Sequence, residues 1–133
     1  MAEIDYLTGY REFSWPRPER FNFARDVIDR WAERDPDHLA LFWVDDHGAE
    51  ERRSFAEVAA SSCRAANLLS GAGVQPGDYI VMILGRQLAW WEVLTASLRM
   101  GAVISPAPTQ LSPTDPAYRV HAARATPVVP PSP

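Results

Sequence analysis

The stretch Gly77–Leu111, GDYIVMILGRQLAWWEVLTASLRMGAVISPAPTQL, decides the fold class of this chain. Tyr79 to Leu84 is a short, nearly unbroken apolar run, the pattern of a strand covered on both faces in a parallel sheet. Val103 to Ser105 reads as its parallel neighbour. Between them, Leu88, Trp91, Leu94, Leu98 and Gly101 recur at steps of three or four, which places them on one face of a helix laid against the sheet. A strand–helix–strand unit of this kind crosses over right-handed, and ligands of open α/β sheets gather beyond the carboxyl ends of the strands. The candidate ligand positions are therefore Gly85-Arg86-Gln87 and Pro106 to Leu111, with Arg86, Gln87, Thr109 and Gln110 as the polar side chains.

The flanking segments extend this α/β pattern. Phe23, Val27, Ile28 and Trp31 share a helical face, Asn22 stands where an N-cap belongs, and Asp35-Pro36 closes the helix. Leu39 to Asp45 and Glu50 to Ser54 are extended runs around Asp46-His47-Gly48, the composition of a hairpin tip. Ser54-Phe55-Ala56-Glu57 has the form of a capping box, and Val58, Ser62, Ala65, Ala66 and Leu69 continue one face of the helix it opens, to Gly71 or Gly73. Within that helix Cys63, among small residues, reads as a buried small side chain rather than a nucleophile. Gln75-Pro76-Gly77-Asp78 is a turn into the Tyr79 strand. A last helix starts at Ser112-Pro113 or Asp115-Pro116 and runs to about Arg124. The domain plan is an irregular aromatic arm over 1–22, an α/β segment over 23–125 and a proline-rich tail over 126–133.

Composition excludes several function classes. The chain has 133 residues, about one domain, and its net charge of −4 gives no electrostatic reason to bind nucleic acid. Arg86, Glu92 and Arg99 interrupt the most apolar region, so no membrane span is expected. The acidic, mixed N-terminus lacks a basic region followed by an apolar core, and a single cysteine rules out an intrachain disulfide; a cytoplasmic location is the expectation. His47 beside Asp45 and Asp46 is explained by turn chemistry, and no metal ligand set is expected. Gly71, Gly73 and Gly77 follow a helix and precede a strand, the reverse of the order a dinucleotide-binding glycine loop needs. No GxSxG, Walker or HExxH motif occurs, so no catalytic residue is named. All 13 basic residues are arginine, and a mechanism needing a lysine ammonium must find it elsewhere.

Three segments carry a family resemblance: ERFNFARDVIDRW, SFAEVAASSCRAANLLSGAGVQPGD and VMILGRQLAWWEVLTASLRMGAVISPAPTQLSPTDPAYRV. Together they resemble the N-terminal part of adenylate-forming (AMP-binding) acyl-CoA synthetases, most closely the medium-chain type, from about Phe21 to Ala125. The resemblance implies a fold that is a fragment of a larger N-terminal domain: a partial open sheet with a β-hairpin, a βαβ unit and flanking helices. It also implies an acid–thiol ligase of fatty acid metabolism that uses ATP, Mg²⁺ and coenzyme A. In that family the Ser/Thr/Gly-rich phosphate loop and the lysine of the mobile domain lie downstream, and neither has a counterpart in this sequence. Only Gln110, in Thr109-Gln110-Leu111, matches a family position near coenzyme A. The expectation is a chain that binds no cofactor alone, is inactive alone and pairs with the remainder of a synthetase. Two alternatives stand beside it: a non-catalytic interaction module, and a small ligand-binding α/β domain.

Overall fold

A computed structural model describes residues 6–110 and 115–125. In chain order it comprises α1 (Tyr6–Glu12), a π-helical segment (Ala24–Asp29) running into α2 (Arg30–Arg34), β1 (Leu39–Val44), β2 (Glu50–Ser54), α3 (Phe55–Gly71), β3 (Tyr79–Ile83), α4 (Leu88–Met100), β4 (Val103–Ala107) and α5 (Asp115–Ala123). Two two-stranded sheets result: β1 with β2 antiparallel, β3 with β4 parallel. The expected hairpin and βαβ unit are both present. The last helix begins at the second of the two expected starts, Asp115-Pro116. Ser112-Pro113, Leu111 and the tail over 126–133 lie outside the described residues.

The parallel pair is joined in register, Tyr79 opposite Val103 and Ile83 opposite Ala107, so both carboxyl ends emerge together. Pro106 is tolerated inside β4 because the strand has a partner on one side only among the described residues. The turn that feeds β3 is held by Gly77, φ +88°, whose amide donates to the Gly101 carbonyl at 2.9 Å. Gly101 in turn ends α4 in the left-handed region, φ +76°.

The core is small and made largely of small side chains. Ala66 and Leu69 of α3, Val74, Ile80 of β3, Ala96 of α4 and Ala102 form its buried cluster, with Ala65 and Met100 against it. This corrects the expected face of α4. The sheet-facing residues are Ala96 and Met100, because alanine on both helices lets α3 and α4 approach closely. The larger stripe, Trp91, Leu94 and Leu98, turns instead toward Phe23, Ile28, Leu41, Phe55 and Val58, around an apolar cavity of about 400 Å³.

Three further expectations are revised. β3 buries Ile80 and Met82 but leaves Tyr79 47% and Ile83 37% exposed, so only one of its faces is covered among the described residues. Residues 6–12 of the arm form a helix, α1, rather than irregular chain; its tyrosines, Tyr6 and Tyr10, stack on each other at 6.3 Å. Cys63 is exposed, because the buried side of α3 is set by Val58, Ser62, Ala66 and Leu69 and Cys63 falls off that stripe.

Two helix starts form as their residues dictate. At α3, Ser54 Oγ accepts from the Glu57 amide at 3.3 Å while Glu57 Oε2 accepts from the Ser54 amide at 2.8 Å, the reciprocal capping box. At the first long helix, Asn22 Oδ1 accepts from the Arg25 amide at 3.2 Å. The other end of the same amide, Nδ2, donates to the carbonyls of Leu98 (2.7 Å) and Arg99 (3.2 Å), so one side chain caps the start of one helix and the end of another. The π-helical segment rotates the buried face: Ala24 and Ile28 are buried, whereas Phe23 and Trp31 remain 42% and 36% exposed. The wider π turn displaces side chains from their 3.6-residue positions, which is why the periodic face is only partly correct.

Candidate functional site

The parallel register puts the Gly85-Arg86-Gln87 loop and the Pro108-Thr109-Gln110 loop at one end of the β3–β4 sheet. All six residues are exposed. Gln110 makes no side-chain hydrogen bond to another described residue. The structure does not bring Gln110 into the cleft that adjoins the first of these loops.

That cleft has a volume of about 450 Å³ and lies between β1 and the β3–α4 connection, lined by Phe42, Trp43, Leu84, Arg86, Trp90 and Trp91 among others. Its shape is held by a bond that the periodicity gave no hint of: the indole Nε1 of Trp43 donates to the Arg86 carbonyl at 2.8 Å, tying the hairpin to the strand-end loop. A tight turn in which the Gln87 amide donates to the Gly85 carbonyl at 2.9 Å shapes the loop itself. Trp90 and Trp91 pack edge to face, with ring centroids 4.7 Å apart. Arg86 stood out as a strand-end residue; its convergence with Trp43, from an element 43 positions away, required the tertiary fold.

A second polar cluster locks the helices behind the site. Arg99 of α4 donates from Nη1 and Nη2 to Asp29 at 2.7 and 2.6 Å, a bidentate pair, and from Nε and Nη2 to Ser62 Oγ of α3 at 3.2 and 3.0 Å. Ser62 Oγ donates its own proton to the Ala59 carbonyl at 2.8 Å. Hydrogen bonding to Asp29 holds the guanidinium pKa above its ordinary value, against the cost of burial. At the hairpin tip Asp45 Oδ1 accepts from the amides of His47 (2.8 Å) and Ala49 (2.7 Å), which accounts for the acidic residues there.

The strand-end loops do not fit a nucleotide triphosphate with its Mg²⁺. They offer one cation, Arg86, and no glycine-rich loop opening a helix. Among the described residues no group of three His, Cys, Asp or Glu side chains converges on a metal position. No helix of the described residues is long and apolar enough to cross a membrane.

Comparison with known proteins places this architecture. The AMP-binding enzyme family matches residues 28–131. The mitochondrial acyl-coenzyme A synthetase ACSM5 of Homo sapiens is 43% identical over 118 residues, covering 84% of this chain and 20% of its own length. The mitochondrial acyl-coenzyme A synthetase ACSM3 of Homo sapiens is 37% identical over 131 residues, covering 94% of this chain and 22% of its own length. The chain thus spans about a fifth of the length of these curated relatives. The crystal structure of Brucella canis acyl-CoA synthetase is similar at a TM-score of 0.75 and 20% identity, over 92% of this chain and 22% of that one. A fatty acid AMP ligase from Legionella pneumophila is similar at a TM-score of 0.71 and 18% identity, over 80% of this chain and 19% of that one. At such identities the structural likeness establishes the fold, part of the N-terminal domain of adenylate-forming enzymes. With the family matching most of the chain, and with relatives of about 40% identity, this protein belongs to the AMP-binding enzyme family.

Proposed function

We propose that this chain is the N-terminal portion of an acyl-CoA synthetase, which joins a carboxylic acid to coenzyme A with cleavage of ATP to AMP and pyrophosphate. The observation that carries the reading is the match of residues 28–131 to the AMP-binding enzyme family, in a chain that shares 43% identity with an acyl-coenzyme A synthetase. The part played by these residues is structural and positional. The β3–β4 sheet and the helices behind it form one wall of a site, and Gln110, exposed at the carboxyl end of β4, offers its amide to coenzyme A. The phosphate-binding and lysine chemistry belongs to sequence outside these 133 residues, which contain no lysine. Alone, the chain binds none of the family's cofactors productively.

Its partner in this reading is the remainder of a synthetase. The half-exposed apolar side chains Tyr79, Ile83 and Val103 on the parallel pair support such a partner, since they give it an apolar surface to cover. Residues 23–125 act as the α/β segment, 1–22 as an arm and 126–133 as a tail. The acidic composition and single cysteine support a cytoplasmic location for this chain; the mitochondrial location is stated of its relatives.

The test is complementation. Mixed with a polypeptide carrying the remaining sequence of a full-length relative, the chain is expected to restore acyl-CoA formation. Gln110→Ala is then expected to raise the KM for coenzyme A several-fold without slowing pyrophosphate release from the first half-reaction. Restoration with an unchanged KM would remove Gln110 from the site, and no restoration under conditions where the two parts associate would count against the ligase reading.

A further inference from the structure

We propose that the apolar cavity between β1, α3 and α4 binds a neutral, largely hydrocarbon molecule bearing one carbonyl or hydroxyl oxygen, which accepts a hydrogen bond from Thr95. The proposal rests on the cavity's own chemistry and not on the ligase reading. At about 400 Å³ the cavity lies within the range of small-molecule sites. Its walls include Ile28 of the π-helical segment, Leu41 of β1, Val58 of α3 and Leu94, Thr95 and Leu98 of α4. No charged side chain lines it, and its one hydroxyl is that of Thr95.

That hydroxyl is set apart by its bonding. Among the described residues the buried polar side chains are Ser61, Ser62, Thr95 and Ser97. The three serines each donate to a carbonyl of their own helix: Ser61 to Val58 at 3.3 Å, Ser62 to Ala59 at 2.8 Å and Ser97 to Val93 at 2.8 Å. Thr95 is only 5% exposed, yet its side chain makes no hydrogen bond to another described residue. No fully enclosed side-chain oxygen among the described residues lacks a partner, so the Thr95 oxygen keeps contact with open space, and the space it lines is this cavity. A buried hydroxyl left without a partner costs stability, and an acceptor brought by a ligand recovers it. A water molecule is a poor substitute, since it needs about two to four polar partners and the lining side chains offer at most the Thr95 hydroxyl and the Trp91 indole nitrogen. A carboxylate would give up its hydration with no cation in the lining to replace it. A neutral molecule with a single oxygen loses little hydration, gains the Thr95 bond and buries its hydrocarbon against the aliphatic and aromatic walls.

The experiment follows the methyl signals of the ¹³C-methyl-labelled 133-residue chain by NMR as it is titrated with 2-octanone. Saturable shifts are expected at Ile28, Val58, Leu94 and Leu98, with Ile83 and Val103, exposed apolar residues of the parallel pair, unmoved. Thr95→Val keeps the side chain's shape and removes its hydroxyl, and should weaken 2-octanone binding about three- to tenfold, the worth of one neutral hydrogen bond. Thr95→Ser, which restores the hydroxyl, should retain most of the affinity. Toluene, which has no oxygen, should bind the parent and Thr95→Val alike. Octanoate at neutral pH should bind the parent at least about tenfold more weakly than 2-octanone, because its charge finds no partner in the cavity. Thr95→Val keeps the fold, since the hydroxyl it removes bonds no described residue. No saturable shift at the cavity methyls, equal affinity of the parent and Thr95→Val for 2-octanone, octanoate binding as tightly as the ketone, or shifts as large at Ile83 and Val103 would each overturn the proposal.

Discussion

Arg99 is the residue whose removal most directly tests how the helices of this small core are held. Its guanidinium makes two hydrogen bonds to Asp29, at 2.6 and 2.7 Å, and two to Ser62 Oγ, at 3.0 and 3.2 Å, joining the π-helical segment, α3 and α4. The two side chains of the ion pair are only 19% and 29% exposed, so solvent screens them less than a surface pair, whose worth is about 0–1 kcal/mol. A hydrogen bond to a charged group contributes about 1.5–3 kcal/mol, but these bonds share partners and do not add. Partial exposure lowers the total again, and Arg99→Ala is expected to cost roughly 2–3 kcal/mol. Arg99→Lys keeps the charge but cannot reproduce the bidentate fork, and should cost about half as much. Urea unfolding followed by tryptophan fluorescence gives each value, and a double-mutant cycle with Asp29→Ala isolates the pair, for which a coupling of about 1–2 kcal/mol is expected. A coupling below about 0.3 kcal/mol, the usual error of additivity, would show that the Asp29–Arg99 pair does not hold these helices together.

Two other substitutions probe local terms. Asp26 accepts from the Arg25 guanidinium at 2.8 and 3.0 Å and from the Asn22 amide at 2.7 Å, and these bonds lower its carboxyl from 3.8 to about 2. A depressed acid stabilises the fold above its unfolded pKa and loses that contribution as pH falls through the folded value. The stability gap between the parent and Asp26→Asn should therefore be full near neutrality and close between about pH 4 and pH 2; a gap that persists unchanged at pH 2 would exclude this origin. Gly101→Ala should destabilise by about 1–2 kcal/mol in thermal unfolding, because φ is +76° while the added Cβ would meet only Pro76 Cβ at 3.9 Å. A neutral substitution would show that this turn relaxes.

What the sequence revealed divides along the range of the interactions. Local signals were readable: the Ser54–Glu57 capping box, the Asn22 cap, the Asp45–Ala49 turn and the parallel pairing of β3 with β4 all formed as composition and period indicate. The errors came where tertiary packing chose between faces. α4 has an apolar stripe through Trp91, Leu94 and Leu98, yet the sheet takes its alanine side because α3 is also alanine-rich there. The 3.6-residue period fails across Ala24–Asp29 because the backbone there is π-helical. Cys63 is exposed despite its small neighbours, because small neighbours in sequence are not neighbours in the core. The Trp43–Arg86 and Asp29–Arg99 contacts link residues 43 and 70 positions apart, beyond the reach of any local pattern. The candidate coenzyme A contact, Gln110, came from family resemblance rather than from the chemistry of its surroundings, which are exposed loop.

The central claim is that these residues form a wall of a ligase site whose reactive groups lie in sequence beyond them. It is tested most directly by measuring pyrophosphate release from the purified 133-residue chain with ATP, Mg²⁺, octanoate and coenzyme A. Release no faster than the blank without protein is expected, whereas sustained turnover that scales with chain concentration would show that the reactive groups lie within these residues.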